Sequence, residues 1–257
     1  MNTNKLQVFV FAMLFVVGAF TGCVDEDDDD KTTTDNTIKI GFLNPITGPL
    51  EPDAPGFKWG ADQAISDLAK MYPNETFELV ELDSGCSGDV AGPAAQTLVD
   101  SGVVAVVGAA CSGASMSANA VLAAAGIPMI SYASTNPGLS DEAKYPHFYR
   151  NVPSDAIQGP AGAAMMADAG VTNESLAILH MTNDYGSGLA DSIKAAWEED
   201  GKLCSAGMQG YEETTTNFDA MVANVTDASD CNAVYLSSYI TDAAGILEAL
   251  AEAGFTG

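Results

Sequence analysis

Cations are what this chain has least of. Lysine and arginine number nine against 35 Asp and Glu, for a formal net charge of −26. A polyanion is repelled by phosphate backbones and anionic lipid, which excludes nucleic acid and the lipid surface itself as partners. The same imbalance suits a protein kept soluble in high salt. Histidine is scarcer still, with only His147 and His180, far apart in sequence and without a paired nucleophile. Neither a zinc centre nor a histidine-based catalytic pair is spelled out, and both residues read as structural. Glycine motifs are incomplete. Gly113-Ala114-Ser115-Met116-Ser117 lacks the closing glycine of a nucleophile elbow, and Gly186-Ser187-Gly188 lacks the third glycine of a dinucleotide loop. Gly201-Lys202 has no Ser or Thr after the lysine to make a phosphate loop. No catalytic residue, metal or cofactor is expected, and the chain reads as something other than an enzyme.

The N-terminus carries the one long apolar run. Lys5 supplies a positive start, Val8–Phe20 an apolar core, and small residues precede Cys23. That is the pattern of an export signal over residues 1–22. Phe20-Thr21-Gly22-Cys23 resembles a lipoprotein signal-peptidase site, which implies lipidation of Cys23. An ordinary secretory signal or an uncleaved anchor are the other readings, the anchor disfavoured because the run barely crosses a bilayer. Residues 23–37 follow as an acidic disordered tether, with six consecutive acids from Asp25 to Asp30 and almost nothing to bury. No second apolar stretch is long enough to span a membrane.

From Ile38 strands and helices alternate. Ile38–Leu43, Thr76–Leu82, His147–Val152, Ser175–His180, Leu203–Met208 and Ala233–Ser237 read as strands. Phe57, Ala61, Ala64, Ile65, Leu68 and Tyr72 recur at helical spacing, as do Leu189, Ile193, Ala196 and Trp197. Val90–Val99 is another helix, and Ile246, Leu247 and Leu250 mark the last. Trp59 reads as packing. The sequons at Asn74, Asn173 and Asn224 mark surface positions.

Residues 103–140 are the informative stretch. Val103–Val107 has the wholly apolar pattern of a strand buried on both faces. An Ala- and Ser-rich helix runs from Ser112 to Ala125, Gly126 ends it, and Ile127–Ile130 is a second buried strand. A right-handed crossover makes the two strands parallel, so both following turns open on one sheet edge, where α/β proteins bind ligands. Ser112 lies at a helix N-terminus, and Ser131, Ser134 and Thr135 lie in the other turn. Such groups hold a carboxylate with neutral donors; each alone is equally a cap or turn former.

Taken together, Cys111-Ser112, the strand end Pro128–Ser131 and the turn Ala133-Ser134-Thr135-Asn136-Pro137 resemble the branched-chain amino acid-binding proteins of ABC importers. Arg150-Asn151-Val152-Pro153-Ser154-Asp155, followed by Gln158-Gly159-Pro160, resembles that family's first crossing between lobes. The resemblance implies a two-lobed α/β fold of the type I periplasmic binding protein kind, each lobe a parallel sheet flanked by helices. Residues 38–153 form lobe one and 154–257 part of lobe two. It also implies that further residues would follow, carrying the family's acidic partner for the ligand ammonium beyond Gly257. Ser112 and Thr135 would hold the α-carboxylate and ammonium of an amino acid, with Ala133 contributing backbone. Tyr185 and Tyr239 would close over it from lobe two, or serve as ordinary packing. Five cysteines less Cys23 leave four. A Cys86–Cys111 bridge has family precedent and sits in turns on one sheet edge, and topology alone suggests Cys204–Cys231.

The expected function is an extracytoplasmic, lipid-anchored substrate-binding component that delivers an amino acid to ABC transporter permease subunits. The alternative is a receptor or sensor domain for amides, urea or another small polar ligand. An exported hydrolase lacks a nucleophile.

Overall fold

The computed structural model describes residues 37–199 and 201–256. The export signal, the Cys23 lipidation site and the acidic tether up to residue 36 lie outside the described residues. Thr37, expected to end the tether, instead opens the first strand.

Two parallel sheets organise the chain. The first has the order β2-β1-β3-β4-β5, from β1 (Thr37–Asn44), β2 (Thr76–Asp83), β3 (Ala105–Val107), β4 (Met129–Ser131) and β5 (Phe148–Arg150). The second has the order β7-β6-β8, from β6 (Leu176–Met181), β7 (Leu203–Tyr211) and β8 (Ala233–Ser237). Every strand pair is parallel. The turns after the strands of each sheet therefore gather at one edge, as the alternating pattern requires.

Register explains which face of the first sheet is buried. Gly41, Val80, Val106, Met129 and Phe148 align across five strands. Helices α2 (Gly88–Asp100) and α3 (Ser112–Ala124) pack on this face through Ala91, Ala95, Leu98, Ala114, Ala118 and Leu122, all fully buried. Gly41 permits the approach, because a Cβ there would lie 2.9 Å from Leu98 Cδ1. The opposite face is barer than the all-apolar runs implied. Helix α1 (Ala54–Met71) covers β1 and β2, leaving Ile130 43% and Tyr149 58% exposed. β3 and β4 are also only three residues each, shorter than the apolar runs that contain them. Of the α1 stripe, Tyr72 lies past the helix and is exposed, and Trp59 points to solvent, so it is not packing.

The second sheet is covered on both faces. α4 (Asp155–Asp168) and α5 (Asp184–Trp197) cover Leu176 and Ile178, while α6 (Asp219–Thr226) and α7 (Ile240–Glu252) cover Ala177, Leu179 and Met181. All six β6 residues are buried, as expected of a central parallel strand. α6 was not legible: it has eight residues, with only Val222 and Val225 buried. On α7 the inward residues are Ile246 and Leu250, whereas Leu247 is exposed.

The chain passes between the sheets through residues 151–154. A second connection is lateral. Tyr239, at the start of α7, packs against the cores of both sheets. Two cysteine pairs sit at opposite ends of the architecture. Cys86 and Cys111 follow β2 and β3 with Cα atoms 5.1 Å apart, and Cys204 and Cys231 flank the starts of β7 and β8 at 5.2 Å.

Candidate functional site

The site grows from the turns after β3 and β4. Gly108 leaves β3 with φ +113°, and a Cβ there would lie 2.5 Å from the Leu43 carbonyl, so the turn has room only for glycine. The two turns are then stapled by buried serines. Ser131 Oγ donates to Ala109 O at 2.6 Å and accepts from Ser134 N at 2.8 Å and Ala133 N at 3.2 Å. Ser134 Oγ lies 3.1 Å from Ala110 O and 2.8 Å from Ser115 Oγ. These hydroxyls satisfy backbone groups that have no ladder partner, and they are spent on structure. That separates Ser131 and Ser134 from Ser112 and Thr135, which the sequence could not do.

Ser112 is the first residue of α3, not its cap; Cys111 is the cap and makes no side-chain bond there. Residues 112–114 therefore present N–H groups with no acceptor inside the helix, at its positive end. Ser112 is 1% exposed and its Oγ accepts from Asn136 N at 3.2 Å, which leaves its proton to donate elsewhere. Arg150 braces the same turn from behind, donating to Asn136 O at 3.0 Å and to Ser140 Oγ.

Thr135 faces the crossing. Its hydroxyl donates to Asp155 Oδ2 at 2.9 Å, and its carbonyl accepts from Asp155 N at 2.9 Å. Asp155 is fully buried at the first position of α4, and its Oδ1 has no hydrogen-bond partner. Burial raises the carboxyl pKa above the ordinary value, opposed by the Thr135 hydrogen bond and the Arg150 charge.

Across the gap stand Tyr185 and Tyr239, stacked with ring centroids 5.4 Å apart and planes 9° off parallel. Tyr239 Oη lies 3.4 Å from Cys86 Sγ, so this ring touches the first sheet's turns directly. Burial, then the negative charge of Asp155, pushes the Tyr185 hydroxyl up to about 12. Tyr239 is raised as well, by burial first. Both hydroxyls stay neutral donors at physiological pH.

These elements enclose a cleft of about 270 Å³. Cys111, Ser112 and Gly113 form one wall; Asn183, Tyr185 and Tyr239 form the other. Among the described residues no Lys, Arg or His lines it, while Asp184 and Glu213 do. The walls approach closely. Asn136 Nδ2 donates to Asp184 O, and a Cβ on Gly113 would lie 2.6 Å from Asp184 Oδ2. Of the five expected ligand residues, Ser112, Tyr185 and Tyr239 line the cleft. Ala133 and Thr135 do not; Asn136, next to Thr135, bonds across to Asp184 O.

Two residues with a place at the site went unassigned in the sequence. Asn136 appears there only within the turn Ala133–Pro137, and Asp155 only as the last residue of the lobe-crossing stretch, neither with a role of its own. The histidines take no part: His147 is exposed with φ 59°, and His180 Nδ1 donates to the neighbouring Met181 carbonyl at 2.8 Å.

Known proteins match this chain along the whole described length. A periplasmic binding protein family model matches residues 37–257. The leucine-, isoleucine-, valine-, threonine- and alanine-binding protein of Pseudomonas aeruginosa is 28% identical over 221 residues, covering 85% of this chain and 58% of that protein. The Leu/Ile/Val-binding protein of Escherichia coli is 26% identical over 219 residues, covering 84% and 59%. The chain thus spans under two thirds of the length of these relatives. Among solved structures, a branched-chain amino acid transporter substrate-binding protein of Streptococcus pneumoniae in complex with isoleucine superposes with TM-score 0.74 at 24% identity, covering 86% of this chain and 62% of that one. A leucine-binding protein of Thermotoga maritima does so with TM-score 0.75 at 24% identity, covering 86% and 61%. At that identity the likeness is one of fold.

Proposed function

This chain belongs to the periplasmic binding protein family, and from that premise we propose that it captures an amino acid, branched-chain or related, between two lobes and delivers it to an ABC importer. The observation that carries the reading is the cleft between the uncapped start of α3 and the stacked Tyr185–Tyr239 pair. At about 270 Å³ it lies just under the ~300 Å³ lower end for drug-sized ligands and suits one of amino-acid size.

The chemistry divides by wall. The α3 N–H groups and the Ser112 hydroxyl receive the α-carboxylate, using the helix's partial positive charge in place of an arginine. Thr135, with the Ala133 carbonyl, receives the ammonium once the Asn136–Asp184 contact opens. Tyr185 and Tyr239 close over the aliphatic part with their ring faces and keep neutral hydroxyls. Ligand binding favours the closed arrangement by bridging both walls, which is the only way it can shift the equilibrium.

Around this site, residues 38–153 and 154–257 act as the two lobes. Cys86–Cys111 and Cys204–Cys231 are disulfides, as their Cα separations permit and an oxidising compartment favours. Residues 1–22 direct export, Cys23 carries lipid, and the acidic tether holds the protein off the membrane, within reach of the permease subunits.

Isothermal titration of the purified protein against a panel of amino acids and amides tests the reading. Saturable binding of one or more aliphatic amino acids is the expected result; binding of amides or urea alone would transfer the protein to a sensing role.

A further inference from the structure

Hydrophobic residues make up 47% of the chain. Yet among the described residues no Val, Leu, Ile, Met or Phe lines the cleft. Away from the start of α3 its walls are Thr182, Asn183, the two tyrosine rings and the carboxylates of Asp184 and Glu213. A branched hydrocarbon side chain binds by burial against apolar surface, and walls of hydrogen-bonding groups offer it little.

The charges are as one-sided as the composition. In a chain with 35 acids and nine cations, an unpaired acid on the surface is ordinary. Two unpaired acids in one cleft act together, because low-dielectric walls focus their field into it. None of the salt bridges among the described residues includes Asp184 or Glu213. Asp184 opens α5, and its carboxylate lies beside Gly113 at the start of α3. Lys144 feels the Asp184 charge, but its ammonium is set over the Tyr145 ring, 5.1 Å from the centroid. Glu213 Oε1 accepts from Asn183 Nδ2. Its charge also reaches the ring stack, where it is second only to burial in raising the Tyr239 hydroxyl. Against these two carboxylates the start of α3 supplies about half a positive charge. A zwitterion brings no net charge to offset the difference, and a ligand with one further cation does.

Resting on the amino-acid site proposed above, we infer that its preferred ligand has a cationic side chain, of the lysine or ornithine class. The methylene stem lies over the Tyr185–Tyr239 rings, and the terminal ammonium meets Asp184 and Glu213. Aromatic faces suit both parts, since the ring quadrupole attracts a cation and the stem packs on the ring surface. The net charge of −26 adds long-range steering of a cation toward the protein.

Calorimetric titration of the wild-type protein with L-lysine, L-norleucine, L-glutamate and cadaverine tests this. Norleucine has an unbranched side chain like that of lysine, without the charge. Lysine should bind about tenfold or more tighter than norleucine, and added salt should weaken lysine more than norleucine. Glutamate should bind weakest of the three amino acids. Asp184→Asn and Glu213→Gln remove charge from two exposed side chains and keep their shape. Each should cut the lysine-to-norleucine affinity ratio about threefold, and the double variant about tenfold, as suits partly exposed charge pairs.

Norleucine matching lysine on the wild type would overturn the inference, as would a ratio that survives the double variant. Cadaverine has the cations without the carboxylate and should bind far more weakly than lysine. Equal binding of the two would mark a diamine site and defeat the amino-acid reading itself. A wild-type protein that binds none of the three amino acids would do the same, so the two failures give different titrations.

Discussion

The two walls of the cleft are built on different principles. The first sheet's wall is a closed hydrogen-bond network: Ser131, Ser134 and Ser115 knit two turns together, and Arg150 ties down the outer loop. The second sheet's wall is two tyrosine rings stacked on each other at the starts of α5 and α7, with exposed acids beside them. A network of short bonds to backbone holds polar groups at fixed positions, which suits the charged head group common to all amino acids. Stacked rings resist sliding far less, which suits the variable part of a ligand and a wall that must move. On the proposed function, head-group recognition and closure would fall to separate parts of the fold.

The strongest way to break the contrast is through the cysteine pairs. Each closes a loop of similar length, with separations of 25 and 27 residues, so losing either should cost about 3 kcal/mol. Cys86→Ser/Cys111→Ser should also lower ligand affinity, because Cys86 touches Tyr239 and Cys111 precedes α3. Cys204→Ser/Cys231→Ser should lower stability alone. Chemical denaturation and titration of both double variants measure this, and equal affinity losses would erase the distinction between the two ends.

Next comes the serine network. Ser131→Val leaves Ala133 N and Ser134 N without their acceptor in a buried turn, at a cost of about 2–3 kcal/mol in the unliganded protein, read from denaturation midpoints. Tyr185→Leu should leave unliganded stability within about 1 kcal/mol and weaken binding, since its ring stacks on Tyr239 at the cleft.

Ser112→Ala sharpens the assignment within the first wall. Its loss should weaken amino-acid binding by about 1.5–3 kcal/mol, ten- to a hundredfold, with the fold retained. If Ser112 serves only to hold Asn136 N, the melting temperature falls and the affinity stays.

The smallest effect concerns Asp155 without ligand. Its carboxyl pKa is raised in the folded state, so the stability linked to its protonation is fully present below the unfolded value. That stability is lost as pH rises through the raised folded value. Asp155→Asn should therefore gain stability relative to wild type as pH rises above the ordinary carboxylate value, as thermal melts of the two proteins at each pH would record.

Much of this architecture was readable before any coordinates. The strand–helix alternation and the β3–α3–β4 unit follow from apolar runs, glycine stops and turn placement, all local properties of the chain. The misses share a cause. Ile130 looks like a core residue because an apolar run does not say which face a neighbouring helix will cover. α6 escaped because two buried valines are too few to establish a period. Trp59 looked like packing because a large apolar side chain is ordinarily buried.

The sequence by itself determined the order of elements and the sheet edge on which the turns after β3 and β4 gather. Each of these depends on residues near one another in the chain. Tertiary structure alone decided which hydroxyls are free. Ser131 and Ser134 bind carbonyls 22 to 25 positions away, Ser112 is held by Asn136, and the orphaned oxygen of Asp155 becomes visible only with every neighbour in place. Whether a polar group is spent or available depends on what surrounds it in space, and one-dimensional spacing carries no record of that.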